Sequence, residues 1–129
     1  MKGSKKVFGY KCEKENLYNV YLKSINGITG LTNKEILVAS KLYNHLEEIS
    51  KGVTDIRIQN ELLFSVIYKK RIREELEMST LLLNNYVSSL KSKRIISEVD
   101  GVKQMNQGLR LDLTQGDVNI IFKFSVNEL

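Results

Sequence analysis

The clearest pattern of apolar and polar positions begins at Thr32. Thr32 and Glu35 have the spacing of a capping box, in which each side chain accepts a hydrogen bond from the other residue's backbone N–H. The apolar positions that follow recur every three or four residues, which is typical of one face of an α-helix: Ile36, Ala39, Tyr43, Leu46 and Ile49. The pattern predicts a helix that begins after Thr32 and ends near Gly52.

Two further helices, joined by a tight turn, are predicted between residues 65 and 94. Ser65 is an N-cap candidate for a helix that runs to about Leu76 and turns Ile72 inward. Ser79 is a second N-cap candidate, and the apolar residues after it fall on one face of the next helix: Leu83, Val87 and Leu90. Residues 53–64, which precede these two helices, fit either a loop or a short helix.

Alternating apolar and polar positions predict strands in the last third of the chain. Residues 95–99 and 102–106 flank Asp100-Gly101, a dipeptide that favours a type I′ hairpin turn because both central positions of that turn need positive φ. The alternation continues over 109–113 and 119–126, which predicts two more strands. Near the N-terminus, residues 17–22 are rich in β-forming side chains and are predicted as a strand.

Residues 72–96 resemble the core of winged helix-turn-helix domains, in which two helices and a turn are followed by a β-hairpin called the wing. The second helix of that family ends in Leu-x-x-x-Gly-x-Ile. This chain has Leu90 and Ile96 at the corresponding positions, with Arg94 instead of the glycine. A looser similarity over 31–126 to small winged-helix proteins of tailed bacteriophages rests on a Leu-Thr-x-Lys-Glu-Ile helix start, found here at 31–36.

The resemblance implies an α+β, winged helix-turn-helix fold with three main helices, a hairpin wing and additional C-terminal strands. The length of 129 residues fits a single domain. Residues 1–30 would be a basic N-terminal segment with a strand, 31–96 the helical core, and 97–129 the wing and C-terminal strands. Residues 79–94 would be the recognition helix, which in this family enters the major groove of DNA.

Positive charge is concentrated in two parts of the chain. The net charge of +5 divides into +4 for residues 1–31, −1 for 32–63, +4 for 64–94 and −2 for 95–129. A polyanionic partner would account for the excess on the predicted helix-turn-helix. The alternative is a solvated Lys-rich surface with i, i+4 ion pairs such as Lys70–Glu74 and Arg71–Glu75.

The predicted partner is duplex DNA, contacted by the recognition helix and by cations of the helix before it. On the recognition helix and just past its end, the candidate contacts are Thr80, Leu81, Asn84, Asn85, Ser88, Lys91, Lys93 and Arg94. On the preceding helix they are Lys69, Lys70, Arg71 and Arg73, which would hold phosphates without reading base sequence. Asn85, or Asn84 if the helix phase differs by one residue, is expected to form a bidentate pair with adenine.

Leu81 and Leu82 keep a second function open. Two adjacent leucines near the start of the recognition helix suit a protein interface as well as contacts with thymine methyl groups. The alternative is therefore a virion or assembly protein of a phage, which uses the same scaffold against phage structural proteins or in a homo-oligomer. An RNA-binding function is a third and weaker alternative, because the chain has no RNP-type motif.

The sequence favours a protein that is not an enzyme and needs no cofactor. His45 is the only histidine, and neither it nor the single Cys12 has the neighbours in sequence that a metal site needs. Adjacent carboxylates at 47–48 and 74–75 point about 100° apart on a helix, so they are expected on solvated faces. The unpaired cysteine and the lack of an apolar run of about 18 residues favour a cytoplasmic protein that does not bind membranes, in the host cytoplasm if a phage encodes it.

Overall fold

The computed structural model describes residues 11–113 and 117–118 of the chain. These residues form an α+β structure with six α-helices and a two-stranded antiparallel sheet. The elements are α1 Leu17–Ser24, α2 Asn26–Thr29, α3 Asn33–Ser50, α4 Ile56–Leu63, α5 Val66–Glu75, α6 Thr80–Ser92, β1 Ile96–Val99 and β2 Val102–Met105, with 3-10 turns at Lys14–Asn16 and Gln107–Leu109. In the described part of the chain, no helix is both long and apolar enough to cross a membrane.

Helix α3 is the central element, and the predicted capping box and apolar stripe are confirmed. The Thr32 side chain accepts a hydrogen bond from the Glu35 backbone N–H, and the Glu35 carboxylate accepts one from the Thr32 backbone N–H. All five residues of the stripe are buried. Helices α1, α4 and α6 pack against α3, which therefore carries the core on which the other helices are placed.

Residues 17–22 are helical, so the predicted strand is wrong. Tyr18, Leu22 and Ile25 lie at i, i+4 and i+7 and are all buried, which is a helical spacing. The Tyr18 ring stacks on the ring of Tyr43 in α3, with centroids 4.8 Å apart. Burial of one helical face against α3 outweighs the β propensity of the individual residues, because that propensity depends on context.

The ambiguous segment 53–64 contains α4, which connects the helices to the hairpin. Asp55 caps this helix by accepting a hydrogen bond from the Ile58 backbone N–H. Asn60 is fully buried in it, and its Oδ1 accepts a hydrogen bond of 2.9 Å from the backbone N–H of Met105 in β2. This buried amide gives α4 a fixed position against the hairpin, since an unpaired buried amide would be costly.

The β-hairpin is confirmed with nearly the predicted bounds. Ile96 pairs with Met105 and Val99 with Val102, across a turn in which Asp100 and Gly101 both have positive φ, 51° and 78°. A type I′ turn needs this combination, and glycine takes it without steric cost. Ile96 and Met105 are buried, whereas Val99 and the turn extend into solvent.

The strand predicted over 109–113 is wrong, because these residues have no partner strand among those described. Gln107–Leu109 is a 3-10 turn, and the chain then runs irregularly. The backbone N–H of Leu111 donates to the Tyr18 hydroxyl oxygen, while Arg110 donates to Glu47 Oε1 and Gln59 Oε1, each at 2.9 Å. Apolar alternation here serves packing on the helical core, with Leu109, Leu111 and Leu113 half-buried.

The prediction of three main helices is also corrected, since α1, α2 and α4 add to α3, α5 and α6. Two expectations lie outside the described residues. They are the strand over 119–126 and the part of the basic N-terminal segment before residue 11.

Candidate nucleic-acid interface

Helix α6 presents the face that the sequence predicts. Its N-cap is Ser79, whose Oγ accepts a hydrogen bond from the Leu82 backbone N–H. Leu83, Val87 and Leu90 are buried, as predicted. The exposed positions are Thr80, Leu81, Leu82, Asn84, Asn85, Ser88, Lys91 and Ser92, and none of them is acidic.

A groove of about 260 Å³ separates α5 from the start of α6. Its lining is Val66, Lys69, Lys70, Arg73, Thr80 and Leu83, and we call it the basic groove. Lys70 and Arg73 form no ion pair with any residue that the structure describes. Three positive side chains therefore line one hollow beside the exposed face of α6.

Lys69 connects the two helices of the groove. Its ammonium group donates a hydrogen bond of 2.8 Å to Asn84 Oδ1 on α6. Burial lowers the pKa of Lys69, and the positive charge of Lys103 in β2 lowers it further. Lys103 thus belongs to the same basic region and was missed by the sequence analysis. Lys103 pairs with Glu98 in the hairpin. Its effect on Lys69 depends on how the hairpin packs, so the sequence pattern alone could not indicate it.

Three of the predicted DNA contacts are instead held by carboxylates. Lys93 donates to Glu35 Oε1 at 2.6 Å and to the Gly30 carbonyl oxygen at 3.0 Å. Lys91 pairs with Glu98 Oε2 of the hairpin at 3.0 Å. These contacts join the end of α6 to α3, which is distant in sequence, and to β1, which follows α6 directly.

Arg71, the third of these residues, turns away from the basic groove. Its guanidinium lies 3.4 Å from Glu75 and 3.8 Å from Glu48, so the i, i+4 pair considered as the alternative is present for this residue. Glu75 also accepts from His45 Nε2 at 2.8 Å and lies 3.6 Å from Lys41. We call these five residues the paired cluster.

The expectation of solvated carboxylates holds for Glu48, Glu74 and Glu75, which are exposed, although Glu48 and Glu75 also form ion pairs. Hydrogen bonding by the buried His45, and the charges of His45, Lys41 and Arg71, overcome the effect of burial and lower the pKa of Glu75. Glu47, by contrast, is held by Tyr18 and Arg110 rather than solvated. A hollow of about 850 Å³ beside His45 is lined by side chains of both signs, unlike the basic groove. In the described part of the chain, no three His, Cys, Asp or Glu residues are grouped to hold a metal ion.

Glu35 is the most tightly bound carboxylate near α6. It is 2% exposed and accepts hydrogen bonds from Lys93, Ser89 and the backbone of Thr32. Burial alone would raise its pKa, but these donors outweigh burial and lower the pKa to about 2. Lys93 therefore positions the C-terminal end of α6 on the N-terminal end of α3.

Arg94 occupies the position where the winged-helix pattern has glycine. Its φ is 63°, in the left-handed region. The Ile95 N–H donates to the Leu90 carbonyl and the Arg94 N–H to the Lys91 carbonyl, which together form a Schellman motif at the end of α6. The helix therefore ends as glycine would end it, while an exposed cation is added next to the hairpin.

The chain was compared with known proteins in three ways. A scan of protein-family models found no matching family, and searches of curated protein sequences and of solved structures found no match to the chain. The resemblance to winged helix-turn-helix and phage proteins therefore stays a prediction. The function is inferred from the chain's own residues.

Proposed function

We propose that this protein binds duplex DNA without catalysis, as a transcriptional regulator of a phage or bacterium, in the cytoplasm. In this proposal α5, α6 and the hairpin are the helix-turn-helix and wing of a winged-helix domain. The observation that carries the proposal is the basic groove beside an exposed, acid-free face of a 13-residue helix. A helix of this size fits the major groove of B-form DNA.

The contacts divide into two kinds under this proposal. Lys70 and Arg73 at the groove, together with Arg94 at the end of α6, would hold phosphates on either side of the inserted helix. The exposed side chains at the centre of the α6 face, Leu81, Asn85 and Ser88, would meet base edges. Arg71, Lys91 and Lys93 contribute less, because carboxylates already hold them.

A salt titration with duplex DNA tests the proposal. About four cations without carboxylate partners predict a log–log slope of about −3 to −4, at roughly −0.9 for each phosphate contact. Replacing Lys70 and Arg73 together with Ala should flatten the slope by about two units. Arg71→Ala on the same helix is the matched control and should leave it unchanged. A folded wild type that fails to bind duplex DNA at low salt would contradict the proposal.

A phage virion or assembly protein remains the second candidate function, supported by exposed apolar side chains. Leu81 is 71% exposed on α6, and Val66 and Ile67 at the start of α5 are 84% and 80% exposed. Apolar side chains at the centre of a protein interface dominate its binding energy.

Replacing Leu81 and Leu82 with Lys separates the two candidate functions. Both residues are exposed, so the fold should persist. Under the DNA proposal the added charge preserves or strengthens non-specific DNA affinity. Loss of a homo-oligomer or protein complex, with DNA affinity unchanged, would favour the assembly function. The oligomeric state by light scattering and DNA binding by fluorescence anisotropy measure the two outcomes.

A further inference from the structure

The hydrogen bond between Lys69 and Asn84 determines which groups Asn84 offers to DNA. A lysine ammonium can only donate, so the amide atom that faces Lys69 is the oxygen. The Asn84 NH₂ group can still donate two hydrogen bonds. The Asn84 oxygen keeps a second lone pair, but the Lys69 ammonium beside it places a positive charge where a second donor would approach. Lys69 and Asn84 together therefore favour an acceptor-rich partner over a donor.

Such a pair distinguishes among the four bases in the major groove. Guanine presents two adjacent acceptors, O6 and N7, which this pair can satisfy. Adenine places an amino donor beside its N7, and cytosine presents an amino donor, so either base would leave donors facing each other. Thymine offers one acceptor and a methyl group.

We propose that Lys69 and Asn84 select guanine, an inference that rests on the proposed DNA-binding function. Asn84 alone would favour adenine, because its oxygen and NH₂ group would both be available. Lys69 is the positioning residue that binds the oxygen and disfavours a second donor at it. Lys103 lies close enough to repel Lys69 electrostatically, and this favours an acceptor-rich group over a donor at the same place.

Asn85 differs from its neighbour in this respect. It is exposed and makes no side-chain hydrogen bond with the described residues, so its oxygen and NH₂ group both remain available. Adjacent asparagines on one helix would therefore read different bases. The difference comes from a side chain on α5, which the sequence of α6 alone does not reveal.

The test is selection of preferred sites from a randomised duplex DNA library by the full-length protein. Wild type should prefer guanine over adenine at one position by roughly 5- to 150-fold, the range for a bidentate base contact. Lys69→Met removes the donor at similar length and frees the Asn84 oxygen, so the preference for guanine should be lost and should shift towards adenine. Lys70→Met is the matched control. It removes one cation from the same groove without touching Asn84, and should weaken binding to all sequences without changing base preference.

The outcomes distinguish failure of the guanine inference from failure of the DNA-binding proposal. If Lys69→Met weakens binding to every sequence as Lys70→Met does, with base preference unchanged, the pair holds a phosphate and the guanine inference is wrong. The DNA-binding proposal would then still stand. Loss of a guanine position on Lys69→Met, with folding verified by circular dichroism, supports the inference. A folded wild type that selects no duplex DNA overturns both.

Discussion

The four cations of α5 lie on two sides of the helix with different surroundings. Lys69, Lys70 and Arg73 line the basic groove, which has no acidic residue in its lining. Arg71 lies in the paired cluster, within ion-pair distance of Glu48 and Glu75. One run of sequence thus divides into cations without an ion pair among the described residues and a cation, Arg71, that pairs with Glu48 of α3 and with Glu75 of α5 itself.

The cations at the end of α6 are also divided into paired and unpaired residues. Lys91 and Lys93 near its end are held by Glu98 and Glu35, whereas Arg94 has no ion pair among the described residues. Net charge in a segment therefore overstates the number of phosphate contacts that the segment can make. We therefore expect paired cations to act on stability and unpaired cations to act on DNA binding.

The largest expected effect comes from removing the charge of Glu35. Glu35→Gln leaves the Lys93 ammonium without a carboxylate at a site where the acid is 2% exposed. Loss of the buried charge whose hydrogen bonds lower the Glu35 pKa to about 2 should lower the free energy of unfolding by about 3 kcal/mol. Urea denaturation followed by circular dichroism measures this. Glu61→Gln, which breaks the exposed pair with Arg57, is the control and should cost less than about 0.5 kcal/mol. Equal effects at the two sites would contradict the distinction.

Glu35 should also make the free energy of unfolding depend on pH. Its folded pKa of about 2 lies below the ordinary glutamate pKa of 4.5, so its stabilisation is present above about pH 4.5 and is lost as pH falls towards 2. Between pH 6 and pH 3 the stability gap between wild type and Glu35→Gln should shrink by about 2 kcal/mol. Denaturation curves of both proteins at the two pH values test this. A gap that stays constant would mean that Glu35 is not charged in the folded protein.

Arg94→Gly should separate stability from binding. Arg94 has a φ of 63°, which glycine adopts without strain, so the free energy of unfolding should rise by about 1 kcal/mol. Loss of an unpaired cation should at the same time flatten the salt slope of DNA binding by about one unit. Glu77→Gly is the matched control, since Glu77 has a φ of 54° in an equivalent Schellman motif after α5. It should stabilise the fold without weakening DNA binding. Parallel loss of affinity in both variants would mean that Arg94 does not contact DNA.

The smallest expected effect comes from converting a paired cation into an unpaired one. Glu98→Gln releases Lys91 on the proposed recognition helix and removes a negative charge opposite Lys103. Duplex DNA affinity should rise about threefold and the salt slope should steepen by up to one unit. Glu61→Gln makes the same change in net charge away from the interface and should leave the slope unchanged. A slope that does not steepen in Glu98→Gln would place Lys91 outside the phosphate contacts.

Elements specified by neighbouring residues could be predicted from the sequence. The capping box at Thr32 and Glu35, the caps at Ser65 and Ser79, and the Asp100-Gly101 turn each depend on residues within a few positions of one another. The buried face of α6 follows from the helical period alone. For this reason the long helix, the two later helices and the hairpin were predicted with nearly correct bounds.

Other features depend on contacts between distant parts of the chain. Residues 17–22 are helical because α3 buries Tyr18 and Leu22, and residues 110–113 follow an irregular path anchored by Tyr18, Glu47 and Gln59. Local β propensity and alternation could not indicate either arrangement, since both leave open which surface a segment packs against.

Some features of the candidate site likewise follow from the local sequence, and others depend on tertiary contacts. The sequence by itself determined which residues of α6 face outward and that cations precede this helix. Only the tertiary structure decided which cations remain available, because Lys93 meets Glu35 across 58 positions of sequence and Lys69 meets Asn84 across 15. Ion pairs and hydrogen bonds depend on distance in space, and at these separations only the packing of the helices brings the partners together.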